Sequence, residues 1–101
     1  MTLKVRQVID IVANRFGTSR EAILGPRCNL ETSHARMVAY WLATELIQDQ
    51  TIQQIARTFN RDRSTVVHGV KRIRALAHLD QALIDSVKLC IDDLKEACDA
   101  T

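Results

Sequence analysis

The sequence predicts an all-α fold of about six helices with a helix-turn-helix near its middle, and three observations carry that reading. Apolar residues recur at spacings of three and four along most of the 101 residues. The periodic stretches are punctuated by residues that cap or break helices, among them Gly17, Gly25-Pro26, Asn60 and Asp80. Finally, Asn60 to Ile73, NRDRSTVVHGVKRI, opens with turn and capping residues and runs straight into a helix carrying three cations. The length suits one domain with a modest core that needs no disulfides.

The first helix is expected over Leu3 to Phe16, where Val5, Val8, Ile9, Val12, Ala13 and Phe16 form an apolar face with Lys4, Arg6, Asp10, Asn14 and Arg15 between them. Gly17 ends it. Thr18 with Glu21 three residues later reads as a capping box for a short second helix, which Gly25-Pro26 stops. Pro26 to Thr32 has little periodicity and is expected to be a loop. Thr32 or Ser33 then caps a third helix running to about Gln48, with Val38, Ala39, Leu42 and Leu46 as its stripe and Tyr40 and Trp41 serving packing rather than base stacking.

Thr51 and Gln54 form a second capping box, ahead of Ile52, Ile55, Ala56 and Phe59. Asn60 is the non-glycine residue best suited to the left-handed conformation that ends a helix, and Asp62 can cap the next. A link of a few residues makes the two helices cross steeply, with Ala56 and Val66 at the seam, so a helix-turn-helix is expected over about 51–77. Gly69 is costly in mid-helix and suggests a close approach by another backbone or by DNA. Asp80 caps a last, acidic helix over about 80–98, whose stripe of Ile84, Val87, Ile91, Leu94 and Cys98 closes the core or, alternatively, forms a dimer seam.

The charge is unevenly spread. Met1 to Arg74 holds 12 Lys and Arg against 6 Asp and Glu, while Ala75 to Thr101 holds 2 against 6. A polyanion is attracted by the first part and repelled by the tail. There is no apolar run long enough to span a bilayer and no basic-then-apolar leader, so a cytoplasmic location is expected. Cys28, Cys90 and Cys98 are an odd set without a CxxC pair, which predicts reduced thiols rather than disulfides or zinc. The glycines fall at 17, 25 and 69, so no phosphate-cradling glycine loop is present and nucleotide binding is not expected. His34, His68 and His78 make no metal-ligand spacing, and no carboxylate cluster stands in the basic half; neither a metal, a cofactor nor an enzymatic activity is expected.

Double-stranded DNA is the expected partner. The N-terminal turn of the second helix of a helix-turn-helix reaches base edges. Arg63 can make a bidentate contact to guanine, Asp62 can accept from cytosine unless its carboxylate is spent as a cap, and Ser64 and Thr65 can donate or accept. Candidates for phosphate are Arg36, Thr51, Gln53, Lys71 and Arg72; His68, one turn beyond Ser64, can touch DNA or pack at the helix edge.

The same residues carry a family resemblance. Arg61-Asp62-Arg63-Ser64-Thr65-Val66-Val67-His68, continued by Lys71-Arg72-Ile73, resembles the GGRDHTTVLHA signature of the C-terminal DNA-binding domain of the bacterial replication initiator DnaA. Ala35 to Leu42 resembles the ARQIAMYL helix of that family, in the same order and at nearly the same spacing. The resemblance runs from about Leu3 to Leu94 and implies an all-helical domain, similar to the Trp-repressor-like fold, that binds DNA as a monomer in replication initiation or its regulation. It also implies that a loop arginine enters the minor groove, a role for which Arg27 is the candidate. Three departures fall at the reading end: Arg63 stands where the family has His, Ser64 where it has Thr, and Asn60 where it has two glycines. Two rival readings follow from the residues alone, a regulator dimerising through its last helix on a palindrome and a protein-interaction module that docks its arginine-rich helix on an acidic partner.

Overall fold

The structure, a computed structural model, describes residues 3–26 and 29–99, with side chains followed as far as Ala97 in the last helix. Six helices follow in order: α1 (Val5–Phe16), α2 (Arg20–Leu24), α3 (Leu30–Leu46), α4 (Ile52–Thr58), α5 (Arg63–Ala77) and α6 (Gln81–Asp99). No strand occurs among the described residues, and none of the helices there is long and apolar enough to cross a membrane.

The fold is built around α3, which packs against α1, α2, α4 and α5. Its Ala35, Met37, Val38, Ala39, Tyr40, Leu42 and Ala43 are all buried, so the helix is enclosed on most of its circumference rather than along one stripe. Leu46, expected on that stripe, lies exposed at the helix end. Of the two aromatics, Tyr40 is core and Trp41 sits half-buried at its edge.

Tyr40 is also where the helix-turn-helix is fastened to the rest. Its ring meets that of Phe59 edge-on at a centroid distance of 4.7 Å. On another side it abuts Gly69, where an added Cβ would stand 2.6 Å from ring carbon Cδ2. The mid-helix glycine is therefore explained by an aromatic side chain, and not by a second backbone or DNA. Phe59, Val66 and Ile73 close the remaining space with under 2% exposure.

Two expectations about helix ends change. Ser19, not Thr18, caps α2 by accepting from the Ala22 amide at 3.1 Å; Thr18 instead brings its hydroxyl within 3.4 Å of that of Thr32. Helix α3 starts earlier than Thr32, because the Asn29 carboxamide accepts from the Thr32 amide at 2.8 Å and nucleates the turn. Its first residue, Leu30, is 71% exposed, so apolar periodicity does not announce the start. In α6 the Asp80 cap is as expected, accepting from the Leu83 amide at 3.2 Å. The buried row there, however, is Leu83, Val87, Cys90 and Leu94, with Ile84 and Ile91 on its flank. The Cys98 side chain lies outside the described residues. Cys90 behaves as a small hydrophobe whose thiol is pushed up to about 11 by burial, so it stays protonated and unreactive at neutral pH.

Candidate nucleic-acid interface

The turn between α4 and α5 is set by local chemistry. Thr51 and Gln54 exchange hydrogen bonds, the Thr51 hydroxyl accepting from the Gln54 amide at 3.2 Å and the Gln54 side chain accepting from the Thr51 amide at 2.8 Å. At the other end of α4, Asn60 takes φ 58°, and the amides of Asn60 and Arg61 donate to the carbonyls of Arg57 and Ala56, each at 3.0 Å. This is a Schellman closure with asparagine in the left-handed position, so one residue does the work of the glycine pair in the resembling signature. Ala56 and Val66 are both fully buried where the helices cross.

Asp62 has the extended backbone of an N-cap, φ −75° and ψ 153°, yet its side chain makes no capping hydrogen bond. Its carboxylate is thus not spent on the helix and remains available as an acceptor. Arg63, Ser64 and Thr65 form the first turn of α5; all are exposed, and none has an internal partner among the described residues. His68, Lys71 and Arg72 follow on the same helix, equally exposed. His68 therefore sits at the surface rather than packed. The opposite side of α5 is held by Val66, Gly69, Ile73 and Ala77 in the core. The helix and its N-cap thus present one carboxylate, two hydroxyls, an imidazole and four cations, Arg74 being the fourth, to solvent.

Beside this row lies an open hollow of about 350 Å³ bounded by Arg57, Asn60, Arg61, Asp62 and Thr65. Arg57 and Arg61 were not singled out from sequence for any contact. Thr51 and Gln53 are exposed at the start of α4, and the Thr51 hydroxyl keeps its proton to donate while it accepts the capping bond.

Two sequence-based candidates stand elsewhere or cannot be placed. The Arg36 guanidinium is turned toward the end of α2, with Nε donating to the Ile23 carbonyl at 2.7 Å and Nη2 to those of Ala22 and Gly25 at 3.0 and 2.8 Å. A five-residue helix leaves its carbonyls short of internal donors, and Arg36 supplies them, a structural role that the sequence reading did not assign to it. Arg27, expected in the minor groove, lies outside the described residues, as does Cys28.

The model of a family described as the bacterial DnaA protein helix-turn-helix matches residues 5–73, from the start of α1 to well inside α5. The chain is 34% identical over 95 residues to the chromosomal replication initiator protein DnaA of Nitrobacter hamburgensis and to that of Rhodopseudomonas palustris strain BisB18, matches that cover 93% of this chain and 20% of each relative. It is also 34% identical over 87 residues to the protein of the same name from Bradyrhizobium strain ORS 278, covering 85% of this chain and 18% of the relative. The chain thus spans about a fifth of the length of the relatives it matches.

Proposed function

This chain belongs to the bacterial DnaA helix-turn-helix family, and on that premise we propose that it binds double-stranded DNA sequence-specifically, as one domain and a monomer in the cytoplasm, in replication initiation or its regulation. The observation that carries the reading is the row Asp62 to Thr65, exposed and without side-chain partners among the described residues at the first turn of a helix whose other side is locked into the core. Arg63 reads guanine O6 and N7 through its planar fork, Asp62 accepts from cytosine N4, and Ser64 and Thr65 contact neighbouring edges. His68, Lys71 and Arg72 bind phosphates from α5, and Thr51 and Gln53 do so from the start of α4, which fixes the register without reading sequence. Arg27 is the proposed minor-groove residue.

Two features support the details. The departure of Arg63 and Ser64 from the resembling signature falls on base-reading positions, so the preferred site is a variant of the family's box rather than a copy. The apolar row of α6 is consumed by the core, which supports a monomer over a dimer seam. The role is binding, with no catalytic step. Selection from a random duplex pool tests the proposal: one isolated, non-palindromic site is expected. A palindrome of two half-sites would make the protein a dimeric regulator, and enrichment of nothing would remove the DNA reading altogether.

A further inference from the structure

Arg61 lies between Asn60 and Asp62, adjacent to the proposed reading turn, but its guanidinium points back into the protein. Nη2 donates to the Gly25 carbonyl at 2.6 Å, while Nη1 donates to the Asn60 carbonyl at 3.1 Å and approaches that of Leu24 at 3.5 Å. The Gly25 carbonyl is the same one that Arg36 reaches from α3. Two guanidiniums, one from α3 and one from the turn before α5, therefore meet at one oxygen at the end of α2. Gly25 itself adopts an extended conformation, φ −79° and ψ 170°, so α2 lacks the left-handed closure that ends α1 and α4. The α2 end is held chiefly by these arginines, and a helix C-terminus is where cations are favoured.

The other half of the argument is the N-terminus of α5. Helix α4 begins with a reciprocal capping box, whereas α5 begins at an Asp62 that makes no capping hydrogen bond. The turn proposed to read bases is thus the less restrained of the two by its own local bonds, and Arg61 is a restraint from outside, spanning 36 residues of sequence to Gly25. We propose that Arg61 is a positioning residue: by its bond to the Gly25 carbonyl it ties the start of α5 to the α2–α3 frame and so sets where Asp62 to Thr65 meet the bases, without itself contacting DNA. Lysine cannot replace it, because a single ammonium does not reproduce a planar fork that bonds Gly25 and Asn60 at once.

The inference rests on the duplex-binding proposal, and its test separates the two. Affinities of wild type, Arg61→Ala and Arg61→Lys are measured for the selected duplex and a scrambled one over a range of salt, together with amide spectra of the free proteins. Both variants are expected to lose affinity for the selected duplex by on the order of tenfold, comparable with one mismatched base pair, to change little on the scrambled duplex, and to keep the wild-type salt slope. Their free-state amide shifts should move both at Ile23 to Gly25 and at Arg63 to Val66. If Arg61→Ala lowers the salt slope by about 0.9 and weakens both duplexes alike while Arg61→Lys rescues, Arg61 is a phosphate ligand and the proposal is overturned. Unchanged binding, or amide shifts confined to one of the two segments, overturns it as well. Should wild type itself not discriminate between the duplexes, the DNA reading fails, and the paired amide shifts still decide whether the strut exists.

Discussion

Two exposed arginines on long helices, Arg15 of α1 and Arg63 of α5, have opposite fates. Arg15 grips Asp93 of α6 with two hydrogen bonds of 2.6 and 2.9 Å, and nearby Arg20 does the same to Asp10 at 2.7 and 2.5 Å. These two cations are matched by carboxylates and link one helix to another. On α5, Arg63, Lys71 and Arg72 have no acidic partner within the described residues. The contrast shows why a count of basic residues does not locate an interface: Arg15, Arg20, Arg36 and Arg61 all contribute to the positive charge of the first 74 residues, yet all are spent on the fold. The α5 face instead carries its cations on a helix held in the core, without an ion pair among the described residues.

If the α1–α6 side serves stability, its core should be the most sensitive part of the molecule. Leu94→Asp places an unpaired carboxylate where 2% of the side chain is exposed and is expected to cost about 3 kcal/mol or more, read as a large drop in the thermal midpoint. An unchanged midpoint would mean that α6 is an arm and that the comparison is drawn in the wrong place.

A smaller effect is expected where the two regions join. Gly69→Ala gains up to about 1 kcal/mol of helix propensity but drives a methyl into the buried Tyr40 ring, a clash of about 1–3 kcal/mol. A net loss of roughly 1–2 kcal/mol is predicted by denaturant unfolding. Stabilisation instead would show that Tyr40 moves freely and does not fasten α5 to α3.

The smallest effect belongs to the surface pair. Arg15 holds the Asp93 carboxyl below the usual carboxylate range by hydrogen bonding and by its charge. A carboxylate depressed in the folded state adds stability above its unfolded pKa of about 4, and that stability is lost as pH falls through the folded value. Arg15→Gln should therefore lower the thermal midpoint slightly at pH 7, and the difference from wild type should vanish in strong acid. Duplex affinity at pH 7 should not change. A loss of binding with intact folding would extend the interface onto α1.

The helices and the helix-turn-helix were legible because their signals are local: the Thr51–Gln54 box, Asn60 at the turn, and apolar residues at helical spacing. The Asn29 cap was hidden by Leu30, an apolar residue that is exposed, and the buried row of α6 was displaced because Leu83–Val87–Cys90–Leu94 and Ile84–Val87–Ile91–Leu94 both fit helical spacing, so that only packing chooses between them. At the candidate site the exposed row could be read from the helix period. The inward turn of Arg36 and Arg61 could not. Both depend on carbonyls of α2 that come near only in the folded chain, and no periodicity or motif marks a backbone oxygen that lacks a donor.

The central claim is that the first turn of α5 reads bases while the cations farther along hold phosphates. The direct test is the affinity of wild type, Arg63→Ala and Lys71→Ala for the selected duplex and for one altered at a single guanine-bearing pair, measured across salt concentrations. Arg63→Ala should cost about 1–3 kcal/mol on the selected duplex and remove most of the preference at that pair. Lys71→Ala should weaken both duplexes equally and reduce the salt slope by about 0.9. If the two variants behave alike, losing affinity uniformly on both duplexes, then α5 binds DNA only as a charged surface and the account of Arg63 as a reader is contradicted.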